Sequence, residues 1–119
     1  MFDSNLLFSN AVAVTADGNS SAISVNKAPV RGVEVALIVT AVDGTSPTLD
    51  ATIHESDDNF SSDNQRIGTF PQITGIGRWF QRVRTKKAKM RLTYDVGGTS
   101  PSFTITAGIV PAGQRDTTA

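Results

Sequence analysis

The feature that most constrains this 119-residue chain is a turn sequence that occurs twice, fifty-four residues apart. The copies are Asp43-Gly44-Thr45-Ser46-Pro47 and Gly97-Gly98-Thr99-Ser100-Pro101, and each lies between runs that alternate apolar and polar residues. Glycine supplies the positive φ that a tight reversal needs, and proline cannot donate a hydrogen bond to a neighbouring strand. We therefore predict a β-hairpin at each copy.

Alternating side chains predict strands along most of the chain. A period of two, as in the segment that contains Met90, Leu92 and Tyr94, is typical of a strand with one solvent-facing side. The candidate strands are residues 11–15, 21–25, 33–42, 48–54, 66–70, 78–84, 89–96 and 102–110. No stretch has helical spacing that we trust. The pattern predicts an all-β, antiparallel β-sandwich of jelly-roll type with about eight strands. We expect residues 1–9 to form a short N-terminal arm, 10–111 the sandwich domain and 112–119 a flexible C-terminal tail.

Composition excludes several classes of protein. The chain has no cysteine, which excludes a disulfide-stapled scaffold and a thiolate metal site. Its 11 basic and 11 acidic residues give a net charge of zero, which argues against a direct role in nucleic-acid binding. The start of the chain lacks the features of a signal peptide, and no apolar run approaches the ~20 residues of a membrane span. We expect a soluble protein that is not exported by the general secretory route.

Few residues could support catalysis or bind a cofactor. His54 is the single histidine and lies on the polar side of its strand, where we expect it to be an exposed spectator. The loop from Glu55 to Asp63 is rich in carboxylates, but it lacks the ligand spacing and the closing glutamate of an EF-hand. We interpret it as a plain acidic loop, with cation binding as the alternative. The sequence therefore predicts no catalytic residue, no metal and no cofactor.

Two apolar segments are candidates for contact with a partner. Residues 33–42 are apolar on both faces, so the second face needs a cover, either from this chain or from a neighbouring subunit. We expect Ile38 to lie near a subunit boundary or under the N-terminal arm. Leu6, Leu7 and Phe8 precede any clear strand. Apolar residues in a terminal arm dock either on their own domain or on a partner, and we predict that these three help to anchor a partner, with a β-core that folds without residues 1–9.

The charges are also separated along the chain. From Glu34 to Asp63 there are seven acidic residues and no Lys or Arg, and from Arg78 to Arg91 there are seven basic residues and no acidic ones. Such separation favours association between oppositely charged surfaces. The alternative is a solvated hairpin tip with edge-protecting lysines. The candidate contact residues of this basic stretch are Arg78, Arg82, Arg84, Lys86, Lys87 and Lys89.

Three segments carry a resemblance to a known family. They are Asn5-Leu6-Leu7-Phe8-Ser9-Asn10-Ala11-Val12-Ala13-Val14-Thr15, then Ser46-Pro47-Thr48-Leu49 leading to Ile53-His54-Glu55-Ser56-Asp57-Asp58-Asn59-Phe60, and finally Phe103-Thr104-Ile105-Thr106-Ala107-Gly108-Ile109-Val110. Together they resemble the small capsid cement (decoration) proteins of tailed bacteriophages. The basic stretch is denser than that family's pattern.

The resemblance implies a structural virion protein and no enzyme. Such a protein is made in the host cytoplasm, assembles as a homotrimer on the outside of an icosahedral head, binds the major capsid protein and stabilises the shell. The main alternative is a carbohydrate-binding or adhesion β-sandwich, which shares the fold. Sugar binding usually uses aromatic platforms, whereas most aromatic residues of this chain are at strand-like core positions. A β-sandwich hydrolase would depend on His54 or the acidic loop.

Overall fold

The computed structural model describes residues 7–24, 33–84 and 87–111. Leu6, Lys86 and the predicted tail 112–119 lie outside these residues. The described residues form seven β-strands: β1 (Leu7–Val14), β2 (Gly18–Asn19), β3 (Ile23–Ser24), β4 (Val33–Ser56), β5 (Gln65–Thr69), β6 (Gly77–Val83) and β7 (Lys89–Pro111). All pairings are antiparallel, which confirms the all-β, antiparallel prediction. No helix of the described ranges is long and apolar enough to cross a membrane.

The two long strands, β4 and β7, pair along almost their whole length. Val33 lies opposite Pro111 at one end of this ladder, and Ser56 lies opposite Lys89 at the other. On the edge that does not face the other long strand, β4 pairs with β5 and β6, and β7 pairs with β1, β2 and β3. We call half A the part formed by β6, residues 33–43 of β4, residues 102–111 of β7, and β1. Half B is formed by β5, residues 48–56 of β4, residues 89–97 of β7, and β2 with β3.

The repeated turn sequence lies where the two halves meet, and the hairpin prediction is wrong. Each copy interrupts a long strand, and the copies face each other, with Thr45 opposite Thr99. The register shifts on both sides of this pair, and Gly44 and Gly98 have φ values of 110° and 106°. Positive φ and a proline that cannot donate suit a β-bulge as well as a hairpin. The segments that flank one copy therefore pair with the segments that flank the other copy, and not with each other.

The bulges allow the long strands to bend. A straight β4 would extend about 80 Å at the usual rise of about 3.3 Å per residue. The largest dimension of the molecule is only 41 Å. The link from Val83 at the end of β6 to Lys89 at the start of β7 spans at most about 22 Å. The far ends of halves A and B must therefore lie on the same side of the molecule.

Both halves contribute their inner faces to one hydrophobic core. Half A supplies alternate residues such as Leu37 and Ile105, and half B supplies Ile53 and Leu92, all fully buried. The edges of the halves also approach each other, because Ser21 N donates a hydrogen bond to the carbonyl of Phe8 at 3.3 Å. The sheet does not close, since β1 and β5 end the order of paired strands without pairing each other.

The topology is an internal repeat in which the long strands are exchanged. β1 and then β2–β3 precede β4, while β5 and then β6 precede β7. β1 pairs with the second half of β7, and β2 and β3 pair with its first half. In the same way, β5 pairs with the second half of β4, and β6 pairs with the first half of β4. The two long strands thus replace four of the eight shorter strands expected from the sequence, and β2 is a short strand that the sequence did not predict, so seven strands are observed.

Candidate functional site

The outer face of half A follows from the two-residue period of its strands. On β4, Val35, Leu37 and Val39 face the core, so the residues between them face outward. Ile38 lies opposite Arg78 on β6 and Thr106 on β7. The outward residues of this half are Leu7, Glu34, Ala36, Ile38, Arg78, Phe80, Arg82, Thr106 and Gly108. We call this set the outer face of half A.

This face combines half-buried apolar side chains with exposed arginines. Leu7, Ile38 and Phe80 are half-buried, whereas Arg78 and Arg82 are exposed. Ala36 lies opposite Phe80 and is fully buried, so strands of the same chain cover that part of the second face of residues 33–42. Ile38 keeps partial exposure. Its position at a subunit boundary stays a prediction.

The predicted N-terminal arm overlaps the first strand. β1 begins at Leu7, which lies opposite Gly108, and Phe8 belongs to the hydrophobic core with 3% exposure. Phe8 therefore packs on its own domain, the first of the two alternatives for apolar arm residues. The expectation that the core folds without residues 1–9 does not fit this burial, because the deletion would remove a core side chain. Of Leu7 and Phe8, only Leu7 contributes to the outer face of half A.

The basic stretch is divided between the two halves. Arg78 and Arg82 lie on β6 of half A, and the exposed Arg84 follows that strand. Arg82 lies opposite the buried Glu34. No described carboxylate forms an ion pair with Arg78 or Arg84. These arginines are therefore available to a partner.

The lysines of the same stretch contact their own chain at the far end of half B. Lys87 Nζ forms an ion pair with Asp63 at 2.6 Å, and Lys89 Nζ donates to Ser24 Oγ at 2.9 Å. The ion pair raises the pKa of Lys87 and lowers that of Asp63, in both cases chiefly through the hydrogen bond. The acidic and basic segments of the sequence thus meet within one chain at this point.

The acidic loop is a closed hydrogen-bond network. The carboxylate of Asp58 accepts bonds from the backbone amides of Ser61, Ser62 and Asp63 and from Ser62 Oγ at 2.6 Å. These bonds, the Ser62 hydroxyl first among them, hold the pKa of Asp58 well below its usual range. Within residues 7–24, 33–84 and 87–111, no three His, Cys, Asp or Glu side chains are grouped to hold a metal ion.

His54 links β4 to the end of this loop through its side-chain hydrogen bonds. Its Nδ1 shares a hydrogen bond with Asn64 Oδ1 at 2.7 Å, and its Nε2 shares one with Thr52 Oγ1 at 2.9 Å. Partial burial lowers the pKa of His54, with help from Arg91 and Arg66, against the opposing effect of the bond to Asn64. Both ring nitrogens therefore have structural partners.

A second charged surface lies on the outer face of half B. Asp50 and Asp95 are directly opposite each other on β4 and β7. Asp17 lies beside them and accepts a hydrogen bond from Val96 N at 2.8 Å. The negative charge of Asp17 is the main cause that raises the pKa of Asp95, and Asp50 adds to it. Sequence reasoning missed this group because it depends on the register between distant strands.

A cleft separates the edges of β1 and β2 next to these carboxylates. It has a volume of about 340 Å³ and is lined by Phe8, Val12, Val14 and Tyr94 among others. At its base Ser9 Oγ and Tyr94 OH share a hydrogen bond of 2.9 Å. Burial raises the pKa of Tyr94 to about 12. Val12 is 46% exposed, which is unusual for an apolar side chain beside the core.

A further apolar side chain protrudes where half A begins. Ile76, just before β6, is 71% exposed. It borders a shallow groove of about 290 Å³, to which Ile38, Thr40 and Arg78 also contribute. The groove extends the outer face of half A toward the bulges.

No protein-family model matches the chain, and no curated protein matches it significantly.

Proposed function

We propose that this protein is a structural virion component that binds the outside of an icosahedral phage head as a trimer and stabilises the capsid. The observation that carries the proposal is the outer face of half A, where half-buried Ile38 and Phe80 lie beside the exposed Arg78 and Arg82 on neighbouring strands, with Leu7 at the opposite edge of the face. An apolar surface with arginines at its border is the composition that protein interfaces favour. The sequence resemblance to capsid cement proteins agrees with this surface.

The proposal extends to the fold. A cement protein of this family would be a β-sandwich of jelly-roll type, with halves A and B as its two layers. The single core shared by the two inner faces supports this description. The bend at the paired bulges supports it as well, because strands that pass from one layer to the other turn through bulges.

Stabilisation of the shell follows from mass action. A protein that binds the assembled shell, and not its separated subunits, adds its binding free energy to the assembled state at every occupied site. It needs no catalytic group for this task. It needs a rigid framework and a surface that fits only the correctly arranged capsid proteins.

The carbohydrate-binding alternative requires an exposed aromatic platform. Trp79, the single tryptophan, is half-buried and packs against the core. The ring of Phe60 lies under the guanidinium of Arg91, 4.1 Å from its Cζ. Phe80, the aromatic residue on the outer face of half A, is half-buried opposite Ala36. Among the described residues the large apolar side chains that are strongly exposed are Val12 and Ile76, and neither is aromatic, so we do not propose sugar binding.

The test is co-sedimentation of purified protein with expanded phage heads that lack it. We expect saturable binding and a higher temperature of shell disruption. Ile38→Asp should abolish binding, because it places a carboxylate in the apolar part of the contact. Thr69→Asp, which adds the same charge at an exposed position on β5, is the matched control and should bind normally. Failure of the wild-type protein to sediment with heads would overturn the proposal, and specific binding to a glycan array would favour the alternative.

A further inference from the structure

We propose that copies of this chain associate head to tail, with Ile76 of one copy seated in the β1–β2 cleft of the next copy. Arg78 of the first copy then lies against Asp17 and Asp95 of the second. This inference deepens the proposed function, because it names the surfaces through which the copies would assemble on a shell. It rests only on the self-association part of that function.

Ile76 has the form of a knob. It lies between Gly75 and Gly77, so no neighbouring side chain in the sequence shields it, and 71% of its surface is exposed. Two residues later comes Arg78, also exposed and without an ion pair to any carboxylate in the described ranges. Burial of this isoleucine against an apolar wall, with a carboxylate partner for the arginine, would be favourable.

The β1–β2 cleft has the form of the matching socket. Its volume of about 340 Å³ exceeds the space that one aliphatic side chain needs, and Val12 and Val14 are among the apolar residues that line it. Gly18 and Asn19 line both this cleft and the adjoining depression that holds Asp17 and Asp95. The apolar cleft and the carboxylates therefore form one continuous surface. In the same way, Ile76 and Arg78 lie next to each other on the other surface.

The pairing of these surfaces with each other follows from their chemistry. Val12 and Ile76 are the two large apolar side chains that the described part of the chain exposes strongly. The cleft that contains Val12 adjoins the negatively charged Asp17 and Asp95, whereas Ile76 lies near the positively charged Arg78. Asp50 faces Asp95 across the ladder with Asp17 beside them, so a cation from outside would relieve their mutual repulsion. A second copy supplies that cation and the apolar side chain together, which is why we choose it over a different protein.

The position of the two surfaces determines the type of assembly. In half A the strands are ordered β6, β4, β7, β1, so the knob before β6 and the socket beside β1 lie at opposite edges. One copy can therefore use both surfaces at once. Contacts of this heterologous type form a closed ring if the rotation between copies closes, and an open chain if it does not. A three-membered ring is the outcome that the proposed function requires.

The experiment measures the molar mass of the pure protein over a range of concentrations by sedimentation velocity and light scattering, without any shell. We expect concentration-dependent oligomers that weaken as salt rises. Ile76→Ser and Arg78→Glu should each weaken association by at least about tenfold, the usual effect of losing a central interface contact. Arg84→Glu is the matched control and should associate like the wild type, since it reverses another exposed arginine that forms no ion pair with a carboxylate of residues 7–24, 33–84 and 87–111.

A charge exchange tests whether the named surfaces meet. Asp95→Arg should weaken association as Arg78→Glu does, and the double variant Arg78→Glu/Asp95→Arg should recover most of it, because attraction is restored with the signs exchanged. Circular dichroism confirms that each variant is folded, and if Asp95→Arg unfolds, the Ile76→Ser and Arg78→Glu results decide alone.

Two outcomes would overturn the inference. One is a monomer at every concentration, and the other is an oligomer whose stability neither Ile76→Ser nor Arg78→Glu changes. The proposed function fails differently, since it depends on co-sedimentation with heads, which a monomer or a differently built oligomer can still show.

Discussion

Half A and half B have matching strand arrangements and share one core, yet their outer faces have little in common. Outside the core, half A presents the apolar side chains of Leu7, Ile38 and Phe80 with its arginines, whereas the residues of half B on that side are polar or charged with both signs, among them Asp50, Asp95, Arg66 and Arg91. The inner faces are both apolar because they contribute to one hydrophobic core. The outer faces carry no such constraint from the fold, so their residues can differ between the two halves.

The comparison also shows what the repeat preserves. The bulge sequence is the part in which the two copies are most alike, and it lies at the one place where both halves need the same backbone. At Gly44 an added Cβ would approach Ser100 O to 2.7 Å, and at Gly98 it would approach Ser46 O to 2.7 Å. Each glycine is thus limited by the backbone of the other copy.

The largest expected effect comes from breaking this shared bend. Gly44→Ala and Gly98→Ala should each lower the free energy of unfolding by about 3 kcal/mol, because a side chain is strained at this φ and its Cβ meets a backbone carbonyl. The two losses should be similar if the bulges are equivalent. Urea unfolding measures both. Gly18→Ala is the control, since an added Cβ has no neighbour within 4 Å, and it should change stability little. A tolerated Gly44→Ala beside a disruptive Gly98→Ala would show that the bulges are not equivalent.

The next effect concerns Tyr94, which belongs to half B and bonds Ser9 of half A. Its pKa is raised to about 12 by burial, so the neutral phenol is favoured in the folded state. The stabilisation is complete below the unfolded pKa near 10 and is lost as pH rises toward 12, by about 2 to 3 kcal/mol. The chain has one tyrosine, so tyrosinate absorbance reports this group alone.

Tyr94→Phe is the control for this alkaline transition. It keeps the ring in the core and should cost about 1 kcal/mol at neutral pH for the lost bond to Ser9. The variant should lack the phenol's contribution to the alkaline loss of stability. Tyrosinate formation in the folded wild type near pH 10 would contradict the burial of this hydroxyl between the halves.

Sequence reasoning identified most of this fold but not its connections. The alternation that predicts residues 33–42 and 102–110 as strands is local, and both segments are strands in the structure. Whether a Gly-Thr-Ser-Pro segment reverses the chain or bends it depends on which partner each flanking run finds, and that is a long-range choice. The same limit applies to the surfaces. Alternation places Asp95 on a polar face, but only the register brings it opposite Asp50.

The acidic loop allows a smaller test at the far end of half B. Asp58 and Asp63 have pKa values lowered chiefly by hydrogen bonds from Ser62 and Lys87 respectively. Their contribution to stability is therefore present above the unfolded pKa near 4 and is lost as pH falls below it. Asp58→Asn should reduce stability at pH 7 and flatten its decline in acid, as measured by thermal unfolding. Asp57→Asn, in the same loop, should leave more of the acid dependence in place. Equal curves for Asp58→Asn and the wild type would contradict the network.

The smallest expected effect separates the outer faces most sharply. Because the negative charge of Asp17 raises the pKa of Asp95, the protonated form is favoured on folding, and this contribution is lost as pH rises above the unfolded value near 4. Asp95→Asn should therefore raise the melting temperature of dilute, monomeric protein at pH 7 and change it little in acid. Asp43→Asn, opposite Ser102, should change it little at either pH. At concentrations where copies associate, the sign should reverse, because Arg78 of a neighbouring copy would then lose a carboxylate partner. If Asp95→Asn raised the melting temperature equally at low and high protein concentration, Asp95 would repel its neighbouring carboxylates in both states. It would then not be part of the contact between copies.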